Sequence, residues 1–245
     1  MGAIRRGWVR GSIRLFSIFG ISIYIHVTFL VLPVLFFVNA GLKGVFLVFF
    51  VFSCVTVHEL FHSLTAKRFG IRVGNITLFP IGGVASISAY PEKPSQEFLI
   101  SLAGPAFNII FAAVLFYPLY RILGPDLFKP SLDTWRGTIA YAFWVNPSLA
   151  FFNLLPAFPM DGGRILRSFL ARRMSLRKAT QIAVGIGNFF ALLFGFIGIA
   201  YRHFMLVIIA IFIYLAASSE EFQVELRESI KQSLLNDKEE QERHE

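Results

Sequence analysis

The sequence predicts an all-α membrane protein with about six transmembrane helices and two membrane-associated β-hairpins. Of its 245 residues, 56% are hydrophobic and 16% are charged, and the mean hydropathy is +0.64. Soluble domains carry roughly 45–50% apolar and about 25% charged residues. Several apolar runs approach the ~20 residues that a helix needs to cross a bilayer. We therefore expect a lipid environment, with one membrane domain over residues 1–218.

The two hairpins are expected near the N-terminus and between the second and third helices. Residues 12–29 alternate partly with period two and are rich in Ile, Phe and Tyr, which favours strands leading into the membrane. Residues 71–90 contain Pro80, Gly82 and Gly83, which interrupt any helix, with β-favouring residues on both sides. This second segment is predicted to form a hairpin or a re-entrant loop.

Six apolar segments are candidates for the helices. They cover residues 27–39, 42–64, 98–123, 138–155, 179–201 and 204–217. The fourth ends in an irregular segment rich in proline and glycine. The remaining segment, 219–245, is charged and is expected to be a solvated cytoplasmic tail, with a short amphipathic helix as an alternative.

Positive charge flanks the apolar segments and does not gather in a basic domain. The net charge is +8. The N-terminal arm and the segments after the second and fourth helices are rich in Lys and Arg, so all three are expected on the cytoplasmic side. This topology places both termini inside, in the cell membrane. It also explains the charge without nucleic acid, which is not predicted as a partner.

The second apolar segment contains the sequence His58-Glu59-Leu60-Phe61-His62. Histidines at positions i and i+4 project from nearly one face of a helix and can bind one zinc ion, with the glutamate placed as a general base. A central Asp, Lys or Arg costs roughly 2.5–3.5 kcal/mol in a membrane helix, so ionisable residues there are functional candidates. Two packed histidines with an unrelated glutamate are the alternative.

A catalytic zinc site needs a third protein ligand, and Asp161 is the strongest candidate. It follows a stretch whose prolines interrupt the helix, and non-helical backbone at membrane depth is tolerated where it lines a cavity. His62 lies just before Lys67 and Asp161 just before Arg164, so the predicted topology places both ligands at one depth. A helix N-cap is the alternative role for Asp161.

Two other residues are weaker candidates. His26, near the entrance to the first apolar segment, is a rival third ligand, although packing or interfacial hydrogen bonding is the favoured role. Cys54 lies one turn before His58 and is the single cysteine, which excludes an internal disulfide. Ordinary helix packing accounts for Cys54.

These motifs resemble those of the site-2 protease family of intramembrane zinc metalloproteases, over nearly the whole chain. The family's HExxH matches residues 58–62, its Asn-x-x-Pro-x-x-x-x-Asp-Gly matches residues 153–162, and its Ala-Gly-Pro-x-x-Asn matches residues 103–108. Phe61 replaces a small residue that is common in the family. No stretch resembles the PDZ insert or the CBS domains of some members.

The resemblance implies a zinc metalloendopeptidase that cleaves membrane-anchored proteins within or near their transmembrane segments, in regulated intramembrane proteolysis. Asn153 is expected to hydrogen-bond the substrate or the oxyanion, or otherwise a neighbouring helix. Gly82 and Gly83 are expected in the hairpin that receives an extended substrate by strand addition. The expected partners are the protein substrate and the lipid bilayer, and no oligomeric state is indicated.

A metal transporter is the main alternative from another functional class. Intramembrane histidines and carboxylates could form a transit site, but such a site gives Glu59 no special role. An inactive structural relative is a second alternative, and the two intact motifs disfavour it.

Overall fold

The computed structural model describes residues 11–87, 91 and 93–244, which are mostly helical with one small sheet. Contacts divide the chain into two compact units, Met1–Phe152 and Asn153–Glu245. The first unit contains the sheet and three long helices. The second contains a short helix followed by two long ones.

The sheet has four strands in the order β1-β2-β3-β4. They are β1 Ser12–Ile18, β2 Ile21–His26, β3 Val73–Phe79 and β4 Gly82–Ile87. Antiparallel pairing joins β1 to β2 and β3 to β4, and parallel pairing joins β2 to β3. The strands lie within the two segments for which the sequence predicts hairpins. Residues 88–90 of the second segment lie outside the described part of the chain. Their union in one sheet was not predicted, because β2 and β3 are separated by a long helical segment.

One face of the sheet packs into the apolar core of the first unit. Ile21 and Ile23 of β2 are fully buried, as is Ile76 of β3. Alternate residues of a strand face the same side, so the period-two pattern of β2 places its isoleucines inward. Phe52 and Leu60 of the long helix belong to the same core, so the sheet lies against the helix that carries the predicted metal ligands.

That helix, α1, spans Val31–Arg68 and follows a 3-10 turn at Val27–Leu30. A straight helix over all 42 of these residues would be about 63 Å long, roughly twice the hydrocarbon thickness of a bilayer. Gly41 interrupts it with φ 59° and ψ −145°. Glycine tolerates this backbone region, whereas a residue with a Cβ is strained there.

The chain folds back on itself at Gly41. A Cβ added to Gly44 would lie against the carbonyl oxygen of Phe36, although eight residues span about 12 Å along a straight helix. The ring of Phe29 lies 4.6 Å from that of Phe52, 23 positions further along the chain. The segment called α1 is therefore two helical arms packed against each other.

The remaining helices complete both units. They are α2 Pro94–Leu123, α3 Trp135–Asn153, α4 Asp161–Leu170, α5 Leu176–Ala200 and α6 Phe204–His244. A 3-10 turn, Gly124–Phe128, continues α2. Helix α6 passes without a break through residues 218 and 219, where the sequence suggests that the membrane domain ends.

Four described helical segments are long and apolar enough to cross a membrane, so the expected six are not confirmed. They are Val27–Arg68, Pro94–Phe128, Leu176–Ala200 and Phe204–Ile230. The first two predicted segments correspond to the two arms of the bent α1. The first arm, residues 31–40, is about 15 Å long and is short for a bilayer. The fourth predicted segment corresponds to α3, in which Arg136 and Asn146 reduce the apolar character.

We expect Gly41→Val to destabilise the protein, because a β-branched side chain is strained at this φ and ψ by about 1–3 kcal/mol. Thermal unfolding in detergent should show a midpoint several degrees lower. Gly185→Ala in α5 is the control: its added Cβ meets no atom within 4 Å, and alanine favours a helix. A Gly41→Val protein that unfolds at the wild-type temperature would contradict the reversal at this residue.

Candidate metal centre

Two buried histidines on α1 form the centre of the site. His58 is 5% exposed and His62 is 8% exposed. Their Nε2 atoms lie 3.0 Å apart, and their rings are nearly perpendicular at 83°. Two nitrogen ligands of one tetrahedral zinc ion, each at about 2.0–2.1 Å from it, lie roughly 3.3 Å apart. The spacing of the Nε2 atoms is therefore close to that of two ligands on one ion.

The backbone of α2 fixes the orientation of His62. Its Nδ1 lies 2.6 Å from the carbonyl oxygen of Ile100. A carbonyl oxygen only accepts hydrogen bonds, so Nδ1 carries the proton and Nε2 of the neutral ring has a lone pair. His62 is thus held in the tautomer that a metal ligand requires.

Asn108 of α2 performs the same task for His58. This fully buried side chain has its Nδ2 atom 3.2 Å from Nδ1 of His58, while its Oδ1 has no hydrogen-bond partner among the described residues. The oxygen and nitrogen of an amide are nearly interchangeable in shape, so the hydrogen-bond network decides the orientation. With the amide of Asn108 rotated, Oδ1 accepts a hydrogen bond from Nδ1–H of His58. Nε2 of His58 then also has a free lone pair for a metal.

Gly104 allows α2 to approach the histidine pair. A Cβ at this position would lie 2.7 Å from Nε2 of His58 and against Nε2 of His62. Any other residue would therefore occupy the region in front of both ligand nitrogens. The larger Phe61 is accommodated beside the pair, where its ring stacks on that of Phe107 at 4.7 Å.

Glu59 lies on the same turn of α1 and adjoins the sheet. A Cβ on Gly83 of β4 would be 2.9 Å from Cγ of Glu59 and 3.3 Å from Cγ1 of Val55. The start of β4 is thus packed onto the helix at the predicted base. Gly82 has φ 142° and no atom within 4 Å of an added Cβ. Of the two predicted glycines, Gly83 is the one beside Glu59.

Asp161 is the first residue of α4 and is partly buried. Met160 is the N-cap of this helix, so the alternative role of Asp161 as N-cap is not supported. Side chains on Gly162 and Gly163 would collide with the backbone of residues 154–158. The two glycines therefore let the preceding loop turn tightly over the first turn of α4.

His58 and His62 of the first unit are potential metal ligands, with their Nε2 atoms 3.0 Å apart. Asp161 of the second unit stays the predicted third ligand. Two imidazoles and a carboxylate are a donor set that suits catalytic zinc. Together with the facing Nε2 atoms and the glycine beside them, this donor set fits a zinc ion.

The other ligand candidates lie in different surroundings. The Nδ1 atom of His26 is 2.8 Å from Oγ1 of Thr28, and its ring stacks on Phe79. Cys54 is buried, with Sγ 3.4 Å from Nδ2 of Asn146. Neither belongs to a group of potential metal ligands among the described residues.

The residues that support the two histidines were not predicted from the sequence. Asn108 was recognised only as part of a motif, and its contact with His58 links residues 50 positions apart. The carbonyl of Ile100 carries no signal in the sequence. Asn153 ends α3 and is partly buried, and its contact with substrate stays a prediction.

The sequence profile of peptidase family M50 matches residues 46–130 and 130–194. A zinc metalloprotease of Methanocaldococcus jannaschii is 36% identical over 224 residues, which are 90% of this chain and 63% of the relative. A relative from Synechocystis, described as a zinc metalloprotease, is 31% identical over 78% of this chain and 54% of its own length. The chain thus spans less than two thirds of both relatives.

A solved structure is also similar. The site-2 protease from Methanocaldococcus jannaschii superposes with a TM-score of 0.63 at 35% identity, covering 86% of this chain and 95% of the other.

We expect Asn108→Leu to weaken zinc binding about 10–100-fold, because His58 loses the partner that fixes its tautomer. Asn108→Asp retains an acceptor for Nδ1–H and should stay within a few-fold of the wild type. Competition with a chromophoric chelator measures both dissociation constants. Wild-type affinity in the Leu variant would show that the amide does not orient the ligand.

Proposed function

The chain belongs to peptidase family M50, and we propose that it is a zinc metalloendopeptidase that cleaves membrane-anchored proteins within or near their transmembrane segments. The observation that carries this proposal is the pair of facing Nε2 atoms of His58 and His62, with Glu59 on the same helical turn. A transit site for metal ions would need the ligands but not the glutamate.

The proposed zinc ligands are Nε2 of both histidines and the carboxylate of Asp161. When bound, zinc would supply the Lewis acidity that stabilises negative charge on the carbonyl oxygen of the scissile bond. Ile100 and Asn108 hold the rings so that the ligand nitrogens need no reorientation when the ion binds. The protein's contribution to metal binding is therefore a ligand set arranged in advance.

Glu59 is the proposed general base. It would accept a proton from the attacking water and return it to the departing amine. Its side chain adjoins Gly83 at the start of β4, so a peptide lying along that strand would pass close to the base. Asn153 is proposed to donate a hydrogen bond to the substrate backbone or to the developing oxyanion.

Strand addition to β4 is the proposed way of holding the substrate. In the described sheet β4 is an edge strand, so one row of its backbone groups has no strand partner there. A transmembrane helix satisfies its own amides and must unwind before a bond is accessible. Pairing with β4 would replace the backbone hydrogen bonds that the substrate loses on unwinding.

We also propose a location in the cell membrane with both termini in the cytoplasm. The four apolar helical segments fit an integral membrane protein. Lys67 and Arg68 end α1, Arg72 follows it, and a second basic segment follows α4. The positive-inside rule orients both toward the cytoplasm. Substrates would be membrane-anchored proteins such as regulators of transcription, cleaved in regulated intramembrane proteolysis.

The central test compares wild type with His58→Ala, Asp161→Ala and Glu59→Gln. We expect about one zinc per chain in wild type and Glu59→Gln and less in the two ligand variants, measured by plasma mass spectrometry on detergent-purified protein. Only wild type should cleave a model transmembrane substrate. Because Glu59→Gln retains the metal, its loss of cleavage separates a protease from a transporter. Undiminished cleavage by Glu59→Gln would refute the mechanism.

A pair of proline substitutions tests strand addition. Adjacent N–H groups of a strand point to opposite sides. Of the two variants Val84→Pro and Ala85→Pro, one therefore removes an N–H group from the outer edge of β4, and the other removes an N–H group that faces β3. We expect the outer variant to fold and retain zinc but to lose at least tenfold in cleavage rate, while the inner variant loses thermal stability. Wild-type cleavage by both would contradict substrate pairing at β4.

A further inference from the structure

We propose that Glu220 of α6 is a positioning residue that holds Asp161 in the geometry needed for metal binding. This inference rests on the proposed function, because it assumes that Asp161 is a zinc ligand. Glu220 lies in the segment that the sequence suggests is a solvated tail, yet it is only 7% exposed.

Glu220 binds two arginines of the helix that begins with Asp161. Arg164 and Arg167 follow Asp161 by about one and two turns of α4. Nη1 of Arg167 lies 3.3 Å from Oε2 of Glu220, and Nη2 of Arg164 pairs with Oε1. Each carboxylate oxygen thus binds a different guanidinium, which fixes both the distance and the rotation of α4 relative to α6.

Arg167 also contacts the loop on the other side of Asp161. Its guanidinium lies over the ring of Phe158 at 4.9 Å, and that ring is fully buried. Phe158 packs against Ala183 and Val184 of α5 and Ala217 of α6. The buried Arg167 therefore contacts the loop before Asp161, and its ion pair with Glu220 holds the helix that follows Asp161.

Stability alone is a poor explanation for this cluster. The side chain of Arg167 is 2% exposed, and that of Glu220 is 9% exposed. Desolvation of such a pair offsets much of the attraction, and apolar residues of similar volume are often equally stabilising. Directional ion pairs nevertheless specify one arrangement, which a carboxylate ligand at the end of a short helix needs.

The test compares Glu220→Gln with Glu225→Gln in the full chain. Glu225 is the matched control, because it lies one to two turns further along α6 and pairs with Arg177 at 2.9 Å, with both side chains about half exposed. We expect Glu220→Gln to raise the zinc dissociation constant about 10–100-fold and Glu225→Gln to leave it within twofold. Chelator competition gives the constants, and thermal unfolding of the metal-free proteins is measured in parallel.

The double variant Arg167→Gln/Glu220→Gln tests whether an uncompensated buried charge causes the effect. It leaves no such charge in the pair, so it should unfold nearer to the wild-type temperature while still binding zinc weakly. Full recovery of zinc affinity in the double variant, or wild-type affinity in Glu220→Gln, would overturn the positioning role. Failure of the wild type itself to bind zinc would instead reject the proposed function.

Discussion

The need to satisfy polar groups at a buried site organises the surroundings of the histidine pair. His58 and His62 lie in an apolar helix, and each neutral ring carries a proton that is costly to bury without an acceptor. Helix α2 supplies both acceptors, the carbonyl of Ile100 and the amide of Asn108. Because the Nδ1 atom of each histidine is hydrogen-bonded to α2, the two Nε2 atoms face each other and are available to bind a metal. The packing of α2 on α1 is therefore part of the ligand chemistry.

That packing in turn limits the residues at the contact. Gly104 cannot gain a side chain without entering the region in front of both Nε2 atoms, and Gly83 cannot gain one without displacing Glu59. The two glycines allow α2 and β4 to approach α1 from different sides. Reversal at Gly41 folds the first arm of α1 along the second, where Phe29 packs on Phe52. Close backbone approach thus supports the helix on which His58, Glu59 and His62 lie.

The two histidines can be predicted as a pair because their spacing on one helix is local information. Strand segments and long apolar helices were also accessible, since period-two alternation and run length are local signals. The parallel pairing of β2 with β3 and the contact of Asn108 with His58 were not accessible, because both join residues far apart in the chain. The structure has fewer membrane-spanning candidates than the six predicted segments for two reasons. Hydropathy does not show that the first two segments belong to one bent helix, and α3 carries polar residues.

The charged end of α6 shows that composition does not determine which charged residues are buried. Glu220 and Glu225 are five residues apart in one acidic segment, yet one is buried and the other is about half exposed. Composition assigns both to a solvated tail, because the charges that compensate Glu220 come from α4, more than 50 residues earlier. A carboxylate that binds two guanidinium groups can be buried next to a membrane domain, whereas an unpaired one is excluded. The burial of Glu220 therefore depends on where the arginines of α4 lie, and a hydropathy profile does not contain that information.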